Sequence, residues 1–156
     1  LFVSKIYVTI NPCTMTIHQI SIFIENKLGS LNEILNIIKS ERLQIIASTV
    51  SDTVEYGIYR VITPEPRKAC LALKSRGLAV NLTEVFAISL ANTIGTAAET
   101  ISYFTLAGIN IEYMYSFYLD NRGILIMRTS DTAKTMEVIA KHKLNCLTEE
   151  ELLQFN

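Results

Sequence analysis

Apolar and polar residues alternate at the start of two separate stretches of the chain. The apolar positions are Ile20, Ile22 and Ile24 in the first stretch, and Phe86, Ile88 and Leu90 in the second. Alternation with a period of two is typical of a β-strand that buries one face against a core. The pattern therefore predicts a strand at each of these places.

A helix is predicted after each of these strands, because apolar residues there recur at intervals of three and four. The recurring positions are Leu31, Ile34, Leu35 and Ile38 in the first half of the chain, and Ala97, Ile101 and Phe104 in the second. Gly108 follows the second series and is typical of a helix end. We expect both apolar stripes to face the core.

Two strands, a second helix and a last strand are predicted after each of these helices. The strand segments are residues 43–52, 55–63 and 78–82 in the first half, and 109–120, 123–129 and 144–148 in the second. The second helix of each half is expected to start near Pro64 or Asp131. Each half therefore has the element order βαββαβ.

An internal repeat supports this division, since the chain aligns with itself without a gap at an offset of 66 residues. Identical residues fall at the turn before the first helix, where Asn26 meets Asn92 and Gly29 meets Gly95. The order βαββαβ is that of a ferredoxin-like unit, in which two helices cover one face of an antiparallel four-stranded sheet. The predicted fold class is α+β, with two such units.

The two units are expected to lie close together, because only residues 81–84 separate the last strand of one from the strand that starts at Val85. We expect the antiparallel sheets to lie side by side as roughly eight strands, with the helices on one face. The predicted domains are residues 15–83 and 84–148. Residues 1–14 are a leader that need not belong to the mature protein, since Met15 is a plausible initiator. Residues 149–156 form a tail, with a short helix expected at 149–155.

Composition excludes several classes of function. The chain has 156 residues, of which 49% are hydrophobic and 19% charged, and its formal net charge is -1. Without a basic surplus it has no electrostatic footprint for nucleic acid or an anionic membrane. No apolar run approaches the ~20 residues of a membrane span. The three cysteines, Cys13, Cys70 and Cys146, fit neither a disulfide framework nor a metal-binding pair and favour a reducing, cytoplasmic setting.

The turn between the first strand and the first helix carries the same pattern in both units. It reads Asn26-Lys27-Leu28-Gly29-Ser30 in the first unit and Asn92-Thr93-Ile94-Gly95-Thr96 in the second. A glycine turn that leads into a helix N-terminus presents free amide groups, which suit a small carboxylate. The alternative is a purely structural role, because Ser30 with Glu33 and Thr96 with Glu99 match the capping-box pattern.

A glycine at such a turn has two possible reasons, a positive φ or the space that a ligand needs. If Ser30 and Thr96 cap their helices, the helix start does not depend on a left-handed residue. We therefore predict an ordinary φ, and tolerance of alanine, at one of Gly29 and Gly95 at least.

The two turns resemble the mark of the ACT domain, a βαββαβ module that binds amino acids and regulates metabolic enzymes. The family pattern is a strand, then Asp-x-x-Gly-x-Leu, then a helix. The glycine is present in both turns, whereas Asn26 and Asn92 replace the acidic residue. A neutral amide accepts a hydrogen bond from an ammonium group, but without the contribution of charge. The resemblance covers residues 16–148 as a tandem pair.

The resemblance implies that an amino acid lies between two side-by-side units, held by the loop of one and the second strand of its neighbour. The implied loop residues are Asn26, Lys27, Leu28, Gly29, Ser30, Leu31, Asn92, Thr93, Ile94, Gly95, Thr96 and Ala97. The implied strand residues are Ile46, Ala47, Ile111, Glu112 and Tyr113. Glu112 is a candidate for the negative charge that the loops lack, and a solvent-facing strand residue is the alternative.

No catalytic constellation is visible in the sequence. His18 and His142 lie far apart and are assigned no role, and no nucleophile elbow, P-loop or dinucleotide fingerprint occurs. An RNA-recognition domain has the same element order, but its stacking aromatic residues are replaced here by Ile58, Arg60, Ile124 and Ile126. These observations favour a binding protein over an enzyme.

The resemblance and these exclusions indicate a cytoplasmic, non-catalytic protein that binds a free amino acid and needs no cofactor. The alternative is a regulatory subunit of a separate enzyme of amino-acid metabolism, which acts by protein contact and has a degenerate ligand site. A small stand-alone enzyme ranks third. The expected partners are a free amino acid, a regulated metabolic enzyme and further copies of the chain, but neither nucleic acid nor membrane.

Overall fold

The structure, a computed structural model, describes residues 15–53 and 55–154. Its elements are β1 (Ile17–Glu25), α1 (Ser30–Ser40), β2 (Ala47–Asp52), β3 (Tyr56–Ile62), α2 (Pro66–Ser75), β4 (Val80–Leu90), α3 (Thr96–Leu106), β5 (Ile111–Leu119), β6 (Arg122–Thr129), α4 (Thr132–His142), β7 (Asn145–Cys146) and α5 (Glu149–Leu153). The α+β class with two ferredoxin-like units is confirmed. The predicted leader, residues 1–14, lies outside the described residues.

One strand, β4, serves both units. The described strands form a single antiparallel sheet of seven, in the order β2-β3-β1-β4-β6-β5 with β7 beside β4. Residues 80–85 of β4 pair with β1, and residues 86–90 pair with β6. The strands predicted at 78–82 and from Val85 are therefore one strand, and the roughly eight strands expected are seven among the described residues. Asn-Leu-Thr-Glu at 81–84 contains no glycine or proline that would end the strand. We call residues 15–83 the first half and residues 84–154 the second half.

The helices α1 to α4 pack against one face of the sheet. Ile20 and Ile22 of β1 belong to a buried cluster with α1, α2 and Val80 of β4. Phe86 and Ile88 of β4 belong to a second cluster with α3 and α4. Val80, Phe86 and Ile88 are all even-numbered positions of one strand, so they point to the same side. The prediction of helices on one face is confirmed.

On the opposite face of the sheet, residues of the two halves pack against each other. A third buried cluster combines Ala47 and Ile62 of the first half with Ile124 and Ile126 of the second. Strands β3 and β5 lie four positions apart in the sheet, which is about 19 Å in a flat sheet. The guanidinium carbon of Arg60 nevertheless lies 4.0 Å from the centre of the Tyr113 ring. The sheet is therefore strongly curled, and the face opposite helices α1 to α4 lies on the inside.

A polar network crosses this inner face. The side chain of Gln19 is fully buried; its amide donates to Tyr113 Oη at 2.8 Å, and its carbonyl accepts from Tyr115 Oη at 2.7 Å. Burial raises the pKa of Tyr115 well above its ordinary value, so the phenol remains a donor. Both polar ends of Gln19 are thereby satisfied across the two halves, as a buried amide requires.

A short helix, α5, ends the described chain. Thr148 and Glu151 form a reciprocal capping box at its start, with the Glu151 carboxylate accepting from the Thr148 N–H at 2.7 Å. Leu152 is buried in the cluster that joins the two halves. The helix predicted at 149–155 forms over Glu149–Leu153. Through Leu152, α5 packs against the inner face of the curled sheet.

Candidate functional site

The two glycine turns have nearly the same backbone geometry. Gly29 has a φ of +93° and Gly95 a φ of +90°, and each immediately precedes the first residue of its helix, α1 or α3. The prediction of an ordinary φ at one of them at least is wrong. Each turn reverses the chain from a strand into a helix, and the left-handed region provides that reversal. An added Cβ would meet no atom within 4 Å at either position, so backbone conformation and not crowding explains the glycines.

The predicted capping boxes at these turns are also wrong. No side chain caps α1 or α3, and Ser30 Oγ is enclosed without a hydrogen-bond partner among the described residues. Thr96 Oγ1 donates instead to the Thr93 carbonyl at 3.0 Å, and the Glu99 carboxylate accepts from Tyr103 Oη at 2.7 Å. A glycine in the cap position has no side chain to accept from the first turn, so those amide groups remain without a side-chain acceptor.

The asparagines that replace the family's acidic residue hold the turns in place. Asn26 Nδ2 donates to the Thr53 carbonyl at 3.1 Å, beside the connection between β2 and β3. Asn92 Nδ2 donates to Tyr118 Oη on β5 at 3.4 Å. Each amide therefore ties its turn to an edge strand of its own half, which is a donor role that a carboxylate cannot perform.

The tips of both turns expose apolar side chains to solvent. Leu28 and Ile94 occupy equivalent positions in the repeat, and both are fully exposed. Beside Leu28, the ammonium group of Lys27 forms an ion pair with Glu25 at 2.5 Å. An exposed large apolar side chain adds nothing to the core, so these two tips are available for contact with a ligand or a partner.

The two turns adjoin different cavities. Beside the first turn is a cavity of about 150 Å³, lined by Phe23, Ile24, Glu25, Lys27, Ser30, Glu33, Ile34 and Leu78. Beside the second is a groove of about 590 Å³, lined by Ala97, Ala98, Ile101, Ser102, Thr105, Leu106 and Met114. The first cavity contains three ionisable side chains and the second contains none. Each is lined by residues of a single half.

The candidate residues on the second strands point mainly inward. Ile46, Ala47 and Tyr113 pack in the cluster that joins the halves, where they lie near one another. A β-bulge between Ile111 and Tyr113 shifts the register, so Ile111 packs on the helix side instead. Glu112, between them, accepts a hydrogen bond from Arg128 Nε at 2.6 Å, and both side chains are 41% exposed. The structure thus separates the turns from these inward-facing strand residues, and Glu112 already has a cationic partner.

Sequence reasoning missed a charged cavity around His18. Its lining combines Thr16 and His18 of β1 and its entry, Arg67 of α2, Glu84 of β4, and Thr148, Glu149 and Glu150 at the start of α5. The register places His18 directly opposite Glu84. That pairing depends on the continuity of β4, which the sequence pattern did not predict. No local motif marks this cavity, because its residues come from four elements.

Two kinds of site do not occur in the described part of the chain. Among residues 15–53 and 55–154, no three or more His, Cys, Asp or Glu side chains are grouped so as to hold a metal ion. Over the same residues, no helix combines the length and apolar character needed to span a bilayer.

Comparison with known proteins identifies the family. A family model described as an ACT domain pair matches residues 15–156. The chain belongs to this family. The resemblance inferred from the two glycine turns is thereby confirmed over both units of the ACT domain pair.

Solved structures agree with this assignment. A protein from Bacteroides thetaiotaomicron is similar with a TM-score of 0.84 and 35% identity, over 90% of this chain and 98% of that one. The regulatory subunit of aspartate kinase from Thermus thermophilus matches with a TM-score of 0.56 and 12% identity, over 84% and 95%. The corresponding subunit from Thermus flavus gives 0.53 and 15%, over 80% and 90%. No curated protein sequence matches the chain at a significant level.

Proposed function

We propose that this ACT domain pair binds a free amino acid and acts as a non-catalytic regulatory module. One observation carries the proposal: each half enters its first helix through a left-handed glycine, and no side chain caps either helix. The Ser30 and Thr96 N–H groups donate to the Lys27 and Thr93 carbonyls, so the amide groups that follow them in the first turn are left for another acceptor. The carboxylate of an amino acid is a suitable one. Two structural neighbours are regulatory subunits of aspartate kinase, which supports a regulatory role.

We place the amino acid at the first turn. There Lys27 and Ser30 line the cavity of about 150 Å³ together with Glu25 and Glu33. Lys27 and the helix start favour the carboxylate of the ligand, and the two glutamates favour its ammonium group. Ser30 Oγ has no hydrogen-bond partner among the described residues, so rotation about its side-chain bond toward a ligand breaks no hydrogen bond.

Titration calorimetry with the standard amino acids, one at a time, tests this placement. Ser30→Ala removes a hydrogen bond to a charged group, worth about 1.5–3 kcal/mol, so affinity is expected to fall about tenfold or more. Thr96→Ala, at the equivalent position, is the matched control and is expected to keep wild-type affinity. An unchanged Ser30→Ala affinity would move the ligand away from the first turn. Failure of the wild type to bind any amino acid would refute the sensing role.

A second candidate function, contact between copies of this chain, is favoured by the surface of α3. Leu106 is 85% exposed, and the groove of about 590 Å³ beside it is almost entirely apolar. Strand β5 ends the sheet next to this groove, and its outer edge has no strand partner among the described residues. An open antiparallel edge pairs with its own counterpart about a twofold axis, so a second copy fits both features.

Light scattering after size-exclusion chromatography tests this assembly. The Leu106→Ser variant introduces the residue that stands at the equivalent position of the first half, Ser40. We expect the wild type to be a dimer and this variant to shift toward the monomer. Ser40→Ala, on the polar face of α1, serves as the control and should remain dimeric. A monomeric wild type would contradict the assembly without affecting the amino-acid site.

Two cysteines bear on the compartment. Cys70 and Cys146 are both free thiols in the described chain. Burial raises the pKa of Cys146 to about 12, which leaves little reactive thiolate at neutral pH. Unpaired cysteines are the common state in a reducing compartment, and we infer a cytoplasmic setting.

A further inference from the structure

The charged cavity around His18 is a feature that the glycine turns do not explain. Its volume is about 330 Å³, at the lower end of the range for small-molecule sites, about 300–1,000 Å³. Strand β1, helix α2, strand β4 and the start of α5 all contribute side chains to its wall. The cavity therefore joins the first half of the chain to its C-terminal helix.

His18 is fixed at the base of this cavity. The Oε1 atom of Glu149 accepts from the His18 backbone N–H at 2.9 Å and also forms a hydrogen bond with Nδ1 of the ring. Because Nδ1 bonds to Glu149, Nε2 is the ring nitrogen that faces the other charged side chains of the cavity. The Arg67 Nη2 atom lies 3.5 Å from Nε2. The guanidinium therefore approaches the His18 ring, and none of its nitrogens lies within ion-pair distance of a described carboxylate.

The opposite charges in the cavity do not pair with one another. Neither Arg67 nor Glu150 forms an ion pair with any described residue. Glu84 Oε1 approaches only His18 Nε2, at 4.0 Å, and Oε2 of Glu149 has no hydrogen-bond partner in the described chain. A guanidinium and several carboxylates thus line one cavity without an ion pair between them, and the side chains of Arg67, Glu84 and Glu150 are open to solvent. A molecule that carries both charges satisfies the two sides together, whereas a simple ion satisfies one.

We propose that this cavity is a second small-molecule site, which takes a zwitterion with a carboxylate and an ammonium group. Its carboxylate is received by the free N–H groups of Arg67, as a fork of donors that suits a carboxylate. Its ammonium group is received by Glu84 and Glu150, with the hydroxyl group of Thr16 alongside. Because α5 supplies part of the wall, occupancy ties α5 to the body of the protein. The site is separate from the first glycine turn.

Histidine NMR tests this site directly, because His18 and His142 are the two histidines of the chain. The full-length protein is labelled at histidine and titrated at constant pH with the standard amino acids, one at a time. We expect at least one amino acid to shift the His18 ring resonances in a saturable manner. His142, which stacks on Tyr103 with the ring centres 3.8 Å apart, is the internal reference. The methyl ester of that amino acid, and its analogue without the amino group, should each bind about tenfold more weakly.

Matched variants complete the test. Arg67→Gln should weaken the amino acid about tenfold and leave the affinity of its methyl ester unchanged, since the ester has no carboxylate. Lys68→Gln, in an exposed pair with Glu65, is the control and should bind normally. The proposal is overturned if no amino acid shifts His18, or if Arg67→Gln binds like the wild type. An amino acid that stabilises the fold without moving His18 would refute this site and leave the first turn intact.

Discussion

The two halves of the chain follow one backbone plan but present different surfaces at the same place. Helix α1 exposes Asn32, Asn36 and Lys39, whereas the aligned and equally exposed residues of α3 are Ala98, Ser102 and Thr105. The turn before α1 adjoins a small charged cavity, and the turn before α3 adjoins a larger apolar groove. The duplicated core has therefore been kept while the outer surfaces have separated into one that suits a charged ligand and one that suits a protein.

The same divergence reaches the hydroxyl groups that start the two helices. Thr96 Oγ1 is already bonded to the Thr93 carbonyl, so turning it toward a ligand breaks a hydrogen bond. Ser30 Oγ has none to lose among the described residues. An enclosed hydroxyl without a partner carries a desolvation cost of about 1–3 kcal/mol. That cost is understandable at a binding site and serves no purpose at a structural cap, which supports our proposal that the first turn binds the ligand.

The largest expected effect comes from core substitutions, which test whether the two halves unfold separately. Phe104 is fully buried beneath α3, and its aligned residue Ile38 is buried beneath α1. Phe104→Ala should lower the free energy of unfolding by about 3–5 kcal/mol and Ile38→Ala by about 2–5 kcal/mol. Because β4 belongs to both halves, each variant should still unfold in one transition in urea, followed by circular dichroism and by tyrosine fluorescence. Two separate transitions would show that the shared strand does not couple the halves.

The second prediction concerns the left-handed glycines. Gly29→Ala and Gly95→Ala should each lower stability by about 1–2 kcal/mol, since a residue with Cβ is strained at this φ. Asparagine tolerates the left-handed region, so Gly29→Asn should recover part of that loss. Amino-acid affinity distinguishes the two turns further: it should fall in Gly29→Ala and stay unchanged in Gly95→Ala. Calorimetry measures both quantities, and equal affinities in the two alanine variants would argue against a difference between the turns.

The smallest expected effect concerns two positions that form a charged contact in the second half and apolar contacts in the first. Glu112 and Arg128 are an exposed ion pair, whereas their aligned residues Ile46 and Ile62 pack in the cluster that joins the halves. Exposed pairs contribute up to about 1 kcal/mol, so Glu112→Gln should change stability little. If Glu112 served the ligand, the same variant would weaken amino-acid binding. We expect unchanged affinity, measured by titration calorimetry.

The fold was accessible from the sequence because its period-two and helical patterns are strong and occur twice. The alternation at Ile20, Ile22 and Ile24 predicts a strand, and all three residues lie in β1. The error was at residues 81–84, where the pattern was divided into two strands. Nothing local distinguishes one strand shared by two units from two adjacent strands, since only the pairing partners differ.

The candidate site was accessible only in part. The repeated turn with Gly29 and Gly95 is a local feature that the sequence reveals, but the left-handed φ of both glycines is contrary to the prediction. Whether Ser30 caps α1 could not be predicted, because the motif for a capping box does not contain the backbone angle of the preceding glycine. The cavity around His18 has no local signal at all, since Arg67 and Glu149 reach it from distant parts of the chain. Both the missing cap of α1 and the cavity around His18 depend on the three-dimensional structure and not on a local sequence pattern.

Thermal unfolding of the whole chain, with each standard amino acid at millimolar concentration, tests the central claim of amino-acid binding most directly. A ligand present at about 100 times its dissociation constant adds about 2.7 kcal/mol if it binds only the folded state. We predict that at least one amino acid raises the melting temperature in a concentration-dependent manner, and that the increase is smaller in Ser30→Ala than in Thr96→Ala. An unchanged melting temperature with every amino acid would contradict the account and leave protein contact through α3 as the function of the chain.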